Sequence, residues 1–220
     1  EYVADLIKTV TEISPIRSIA RVRTTDKRGI EIPKRTGQFS ASFVAEQGTR
    51  SETTGYTTGM MSIDAHECFA EVHISQAMLE DSAFNLESEM GTEFAEQFAK
   101  LEGTSFVSGN GVGKPLGFTD STAGVGSTNS GSGSALTANG ILDLVYAIKS
   151  DYLSNARFVM NRTTLAKLLQ LEDGEGQKIF HVGLNLVNGA PTTIAGHPYT
   201  LATDMPNIGG SAKPIAFGDF

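Results

Sequence analysis

The sequence predicts an α+β fold, because segments with a helical period and short strand-like segments are mixed along it. Residues 86–101 carry apolar side chains three and four positions apart, which is the spacing of an amphipathic helix. Residues 193–194, 198–202 and 214–217 are short runs separated by glycine and proline, which favours strands. The length of 220 residues fits one large domain or two small ones. We find no internal repeat.

The first 35 residues predict one short helix and two extended segments. Residues 2–13 repeat apolar side chains every four positions, and the helix that this spacing predicts ends before Pro15. Residues 16–23 mix apolar and basic side chains and are expected to be extended. A turn at residues 26–29 leads into a strand over residues 29–33, whose proline places it at a sheet edge.

Residues 36–60 are predicted to form a long hairpin that projects from the body of the protein. The surrounding segment, 34–61, contains four glycines and too few apolar side chains for a core of its own. These few apolar side chains include Phe39, Phe43 and Val44. Residues 62–74 then alternate apolar and polar side chains, which predicts a strand on which Cys68 is buried.

A long helix is predicted over residues 84–103, where Gly103 weakens its end. Its apolar stripe consists of Leu86, Met90, Phe94, Phe98 and Leu101. Its other faces carry the glutamates Glu87, Glu89, Glu93, Glu96 and Glu102.

The last hundred residues predict two further helices and a buried strand. Residues 137–152 and 163–169 are each expected to be a helix that begins at a capping threonine. Residues 158–160 between them are an apolar run that predicts a short buried strand. Residues 119–134 are rich in glycine, serine and threonine and predict a linker or surface loop, and residues 173–176 predict a turn.

Composition is that of an ordinary globular protein, with 40% hydrophobic and 19% charged residues. The single cysteine excludes an intramolecular disulfide. No run of 18 apolar residues predicts a membrane span, and no signal-peptide pattern opens the sequence, so an intracellular protein is expected. The net charge of −8 opposes non-specific binding to nucleic acid.

The charge is unevenly placed, with a net of +3 over residues 1–50, −10 over residues 51–110 and −1 over residues 111–220. The acidic part is either a solvated helix surface or one of two complementary patches that meet between subunits. The second interpretation gives a set of candidate subunit-interface residues: Arg21, Arg23, Arg28, Lys34, Arg35, Phe43, Arg50, Glu87, Glu89, Glu93 and Glu96.

No nucleotide site is predicted at the glycine-rich segment. Gly113-Lys114 resembles the end of a P-loop, but Ser108 stands where a glycine is needed and Pro115 where serine or threonine is needed. A turn after a helix is the better interpretation of this segment.

No catalytic, cofactor-binding or metal site is predicted elsewhere, and the chain is not expected to be an enzyme. No serine is flanked by the two glycines of a hydrolase elbow, and no two histidines have the spacing of a helical zinc site. His66 and His73 are expected on opposite faces of a strand.

The order of these segments resembles the major capsid proteins of tailed phages, which have the Hong Kong 97-like fold. The resemblance rests on the ordered set rather than on any single motif. The set comprises residues 13–17, 30–33, 45–48, 71–75, 79–82, 109–118, 159–161, 173–176, 195–198 and 217–219.

The resemblance implies a phage- or prophage-encoded shell protein with two domains. A peripheral domain, 1–118, would include the extended loop 36–60 and the spine helix 84–103, and an axial domain, 119–220, would follow a linker at about 119–136. Such subunits form the hexamers and pentamers of an icosahedral head that encloses DNA without sequence-specific contacts. Portal, scaffold and protease proteins are the implied partners, with assembly in the host cytoplasm and no membrane or cofactor.

Alternatives remain open from the sequence. A related cage, an encapsulin-like compartment, would share the fold, and a small hydrolase with an unrecognised site is the less favoured choice. Some family members cross-link a loop lysine to a neighbour, but here Gln47 and Arg50 fall where that lysine would lie. In members of the family, an N-terminal arm precedes the position that matches residue 1, and the chain continues past the position that matches Phe220. This chain is therefore expected to be a truncated or processed fragment.

Overall fold

The computed structural model describes residues 13–50, 52–53, 55–76, 85–131, 133, 135–179 and 193–220. The helices are α1 (Ile16–Ile19), α2 (Leu86–Ser108), α3 (Ala138–Tyr146) and α4 (Arg162–Leu169). The strands are β1 (Gly29–Gly37), β2 (Thr57–Asp64), β3 (Arg157–Met160), β4 (Thr193–Ile194), β5 (His197–Leu201) and β6 (Ile215–Gly218). Residues Arg23–Glu67 form one compact unit, and Glu1–Val22 with Cys68–Phe220 form the other. The predicted α+β class is confirmed.

The smaller unit is built on the antiparallel hairpin of β1 and β2. A hairpin was predicted over residues 36–60, but its strands extend beyond that range, and most of residues 36–60 is the connection between them. Gly29 lies opposite Asp64 and Pro33 opposite Met60, and residues 38–56 join the two strands. A two-stranded sheet consists only of edges, which is where a proline is tolerated. None of the described residues of this unit is buried.

The strand predicted over residues 62–74 is wrong beyond Asp64. The last hydrogen bond of the ladder joins the Ala65 amide to the Arg28 carbonyl at 2.8 Å, and the chain bends just before Arg28. Residues 65–75 therefore continue without regular structure. Alternating side chains favour a strand, but a strand needs a neighbour to share its ladder.

Cys68, which was expected to be buried on that strand, is exposed. His66 and His73 lie on the same irregular segment and are exposed, so they do not face opposite sides of a strand. The Nε2 atom of His73 lies 3.3 Å from Oε1 of Glu71. Burial requires a covering layer, which the alternation of side chains by itself does not supply.

Residues 16–19 form a helical turn where an extended segment was predicted. This turn is α1, and the amide and hydroxyl of Ser18 donate to the Pro15 carbonyl at 3.0 and 2.6 Å. The prolyl φ angle suits the start of a helix, and the 3% exposed Ile16 anchors the turn in the core. The helix predicted over residues 2–13 falls, apart from its last residue, outside the described part of the chain.

The larger unit contains a four-stranded sheet in the order β4-β5-β3-β6. β3 pairs parallel with β5 and antiparallel with β6, and α4 lies in the crossover between β3 and β5. β4 and β5 are joined by Ala195 and Gly196, whose φ angles of 50° and 83° are those that a tight hairpin turn requires. The predicted short strands are confirmed, with their ends shifted by about a residue.

Two hydrophobic clusters cover the two sides of β3. The first consists of Ile141, Val145, Phe158, Met160, Leu165, Leu168 and Ile194. The second consists of Ile16, Val107, Val159, Ala202 and Met205. Because side chains alternate along a strand, Phe158 and Met160 enter the first cluster while Val159 enters the second.

The long helix was predicted over residues 84–103 and runs from Leu86 to Ser108. Asn85 caps it, since its side chain accepts a backbone N–H of the first turn at 3.2 Å. Gly103 does not end the helix. A Cβ at Gly103 would lie 2.2 Å from Cβ of Ser14, so the missing side chain lets the N-terminal segment pack on the helix.

The glycine-rich segment after α2 is a turn, as predicted. The Gly117 amide donates to the Gly109 carbonyl at 2.8 Å, and Asn110 and Leu116 form an isolated β-bridge. A Cβ on Gly109 would lie 2.0 Å from the Pro115 carbonyl oxygen. Glycine is therefore needed there for the close approach of two backbones.

Thr137 caps α3, accepting the Gly140 amide at 3.1 Å, but the helix ends at Tyr146 rather than near residue 152. Residues Ser150–Tyr152 form a separate 3₁₀ turn, because Lys149 is extended. The buried strand predicted at residues 158–160 is present, with all three residues fully buried.

Asn161, and not Thr163 as predicted, caps α4. Its Oδ1 accepts the Thr163 amide at 3.2 Å, and its Nδ2 donates to the carbonyls of Thr203 and Met205, both at 3.1 Å. One side chain thus begins a helix and holds the turn that follows β5.

Replacing Asn161 is expected to destabilise the larger unit. Asn161→Ala removes the cap and leaves two carbonyls without their donor, which should lower the free energy of unfolding by about 2 kcal/mol. Asn161→Asp keeps an acceptor for the cap but loses both donors, so it should restore only part of the loss. Urea unfolding checks both variants. Wild-type stability of Asn161→Asp would show that the two donated bonds contribute nothing.

Limited proteolysis with a glutamate-specific protease should cut the hairpin connection before α2. Glu46 and Glu52 lie in the exposed, irregular connection, whereas Glu93 and Glu96 lie within a long helix. Cleavage requires an extended backbone, and helical backbone must first open locally. Mass spectrometry of early fragments identifies the sites. First cuts within α2 would contradict the expected order.

Candidate interaction surfaces

The predicted basic and aromatic interface residues are all exposed. Arg21 lies in the larger unit, and the others belong to the hairpin unit: Arg23, Arg28, Lys34, Arg35, Phe43 and Arg50. Phe43 in the connection is fully exposed. Exposed aromatic rings are common anchors of protein–protein interfaces.

Arg35 is partly engaged within its own unit. Its guanidinium lies over the ring of Tyr56, 5.7 Å from the ring centroid, and donates to the side chain of Gln38. These contacts join the two ends of the connection between β1 and β2. Arg35 therefore shapes the base of the connection as well as adding charge.

The glutamates of α2 do not form one solvated face. Glu87 is exposed, whereas Glu89, Glu93 and Glu96 are half-buried. Oε1 of Glu93 accepts a hydrogen bond from Nε2 of Gln97, one turn along the helix, at 2.7 Å. The four candidates are thus unequal, and Glu87 is the one available to a partner without rearrangement.

The apolar stripe predicted on α2 is only partly covered. Leu101 is exposed by about half, and the buried residues of the helix are Gly103, Ser105 and Val107 at its C-terminal end. Small side chains there allow close packing against the N-terminal segment. The stripe pattern located the helix but not the part of it that reaches the core.

Two contacts of the larger unit were not predicted from the sequence. Arg17 Nη1 lies 2.6 Å from Glu102 Oε2, and Thr104 Oγ1 donates to Asp204 Oδ1 at 2.8 Å. The partners are 85 and 100 residues apart along the chain, and no local pattern could have paired them.

A groove of about 390 Å³ in the larger unit is lined by residues from 118–144 and 208–220. Its walls are largely backbone, glycine, serine and apolar side chains, and its charged lining residues are Lys213 and Asp219. These two groups do not supply a nucleophile, a base and an orienting residue together. Among the residues described, no group of three or more His, Cys, Asp or Glu could hold a metal ion.

His197 suggests no site. His197 is half-buried and packs edge-on against Phe217 with ring centroids 5.0 Å apart. His181 lies outside the described residues. Within the described ranges, no helix is long and apolar enough to cross a membrane.

The pKa of the Asp120 carboxyl is shifted by its surroundings. Asp120 accepts hydrogen bonds from the hydroxyl of Thr122 at 2.6 Å and from the Thr122 amide at 2.7 Å. These bonds, with a smaller contribution from Lys213, lower the pKa of the Asp120 carboxyl. Their role is to cap the 3₁₀ turn Ser121–Ala123 after α2.

Comparison with solved structures finds capsids along the full length of the chain. The chain aligns with the structures titled "Capsid of empty GTA particle computed with C5 symmetry" and "Capsid of native GTA particle computed with C5 symmetry" at TM-scores of 0.86 and 0.87. Both are 29% identical and are covered over 78% of their length. A protein of Mycobacterium phage Bobi, 14% identical with 73% of its length covered, shares the fold at a TM-score of 0.69.

No curated protein matches the chain. The model of the phage capsid family matches residues 1–220. The comparisons do not favour the alternatives of an encapsulin-like compartment or a small hydrolase. The Hong Kong 97-like fold implied by the sequence agrees with these neighbours. The chain therefore belongs to the phage capsid family, as a structural major capsid protein of the oligomeric shell of a virion.

Proposed function

We propose that copies of this chain form the hexamers and pentamers of an icosahedral phage head that encloses double-stranded DNA. The observation that carries the proposal is the unit Arg23–Glu67, none of whose described residues is buried. An isolated two-stranded hairpin is at best marginally stable in water, so this one is expected to lie on another subunit. The similar GTA capsids were computed with C5 symmetry, which supports fivefold clusters.

The finer parts of the proposal follow from charge and from family membership. A net charge of −8 suits a shell that surrounds DNA without binding it tightly. Residues 1–118 would be the peripheral domain and residues 119–220 the axial domain. Assembly would take place in the host cytoplasm with portal, scaffold or protease proteins. The protein would act as a structural subunit without catalysis, which its membership of the capsid family supports.

The candidate interface residues would serve between subunits, with the basic segment 17–35 and the hairpin meeting acidic surface near residues 87–102 of a neighbour. Individual exposed ion pairs contribute about 0–1 kcal/mol, so only repetition around a shell makes them effective. Charge reversal at Glu87 is the cleanest probe, because Glu89, Glu93 and Glu96 are half-buried in their own chain.

Purified wild-type protein should form closed shells visible by negative-stain microscopy. Glu87→Lys should raise the protein concentration needed for assembly by up to about fivefold, the equivalent of about 1 kcal/mol per contact. Asp143→Lys is the matched control, since it changes the net charge equally at an exposed position of α3. Sedimentation measures the assembled fraction. Equal effects of the two substitutions would mean that the acidic patch is only a solvated surface and not an interface.

Mature particles should not be held by cross-links from a lysine in the connection between β1 and β2, residues 38–56. The sequence has no lysine between Lys34 and Lys100, and the guanidinium of Arg50 stays protonated and is a poor nucleophile. Particles boiled in detergent and reductant should therefore run as one monomer band. A ladder of oligomers would mean that another lysine forms the cross-link.

The reductant is essential to that measurement. The predicted burial of Cys68 would have prevented disulfide bonds between subunits, but the thiol is exposed. A parallel lane without reductant separates disulfide-linked dimers from lysine cross-links.

A further inference from the structure

The two faces of the hairpin differ in polarity. Ile30 lies opposite Ile63 and Ile32 lies opposite Met61 in the antiparallel ladder. Directly opposed side chains, and those two positions apart on one strand, project from the same face of a sheet. Ile30, Ile32, Met61 and Ile63 therefore form a continuous patch, here named the apolar face.

The opposite side of the ladder, here named the polar face, carries a different set of pairs. Its opposed residues are Gly29 with Asp64, Glu31 with Ser62, Pro33 with Met60, and Arg35 with Thr58. Met60 is its one large unbranched apolar side chain, and polar or charged residues flank it. Both faces belong to the same short sheet, so their difference reflects side chains and not backbone.

The apolar face is incompletely covered in the single chain. Met61 and Ile63 remain 48% and 47% exposed, and Ile30 and Ile32 are half-buried. Exposure of these four adjacent apolar side chains to water is unfavourable, because burying apolar surface lowers the free energy. A surface of this kind is typical of an interface that is completed by a partner.

We propose that the hairpin docks through its apolar face onto a second copy of this chain. This inference rests on the proposed function and deepens it by naming the face that makes the contact. A shell places many copies of one chain side by side, so a second copy is the partner always at hand.

Charge complementarity supports the same partner. Lys34, opposite Gly59, projects from the apolar face, and none of the ladder positions on that face is acidic. Residues 51–110 of the chain carry eleven acidic residues and one basic residue. We therefore expect the receiving surface on the second copy to be apolar, with carboxylates beside it that face Lys34. Opposite charges would then meet across the contact.

Met60 and Met61 allow a test on the unaltered protein. They are adjacent, chemically identical and exposed by 67% and 48%, but they lie on opposite faces. Free subunits and assembled particles are treated briefly with hydrogen peroxide, and tandem mass spectrometry locates each sulfoxide. On assembly, oxidation of Met61 should slow at least fivefold while that of Met60 changes less than twofold. Equal protection of both, or protection of Met60 alone, would overturn the face assignment.

Matched substitutions provide the second measurement. Met61→Glu should lower the sedimenting fraction at least tenfold, whereas Met60→Glu should assemble like the wild type. Neither side chain is buried, so circular dichroism melting of the unassembled variants should show unchanged transitions. If Met61→Glu melts earlier, Ile63→Gln replaces it as the probe of the same face. Equal assembly of the Met60 and Met61 variants would reject the proposal, while failure of the wild type to assemble at all would reject the proposed function itself.

Discussion

Burial of β3 on both sides is the constraint on which the larger unit depends. Phe158, Val159 and Met160 are each fully buried, although the strand is only four residues long. Phe158 and Met160 pack under α3 and α4, and Val159 packs on the side of α2 and the N-terminal segment. The two clusters share no residue but share this strand. Loss of its position would therefore disturb both layers together.

The C-terminal end of α2 is where distant parts of the larger unit meet. Gly103 admits Ser14, Arg17 pairs with Glu102, and Thr104 donates to Asp204. Three consecutive helical residues thus contact the N-terminal segment and the loop that follows β5. The rest of the helix is less covered, and the half-buried Glu89, Glu93 and Glu96 lie in that part. A helix anchored at one end can present the remainder to neighbouring subunits.

The hairpin unit follows the opposite physical rule. None of its described residues is buried, and its cohesion comes from a ladder of backbone hydrogen bonds and cross-strand pairs. Such a unit needs no core of its own, but it contributes little to the free energy of unfolding. If the unit docks on a neighbouring subunit as proposed, the free energy of docking would favour the assembled shell over the free subunit.

The sequence by itself determined those parts of the protein that depend on local patterns. The helical period located α2, and the apolar run located β3. The scarcity of apolar residues over 36–60 indicated the hairpin. The ordered set of segments also identified the capsid family. These features depend on neighbours along the chain, so an isolated sequence already contains their cause.

Only the tertiary structure decided where each pattern ends and what it touches. Gly103 lies inside a helix because Ser14 packs against it, and the strand after Asp64 ends because no partner continues its ladder. Cys68 is exposed for the same reason, since its alternating segment is not covered by a layer. The unequal burial of the α2 glutamates and the two faces of the hairpin likewise depend on register and on contacts between distant residues. Local propensity cannot specify such contacts, because their free energy exists only once the chain has folded.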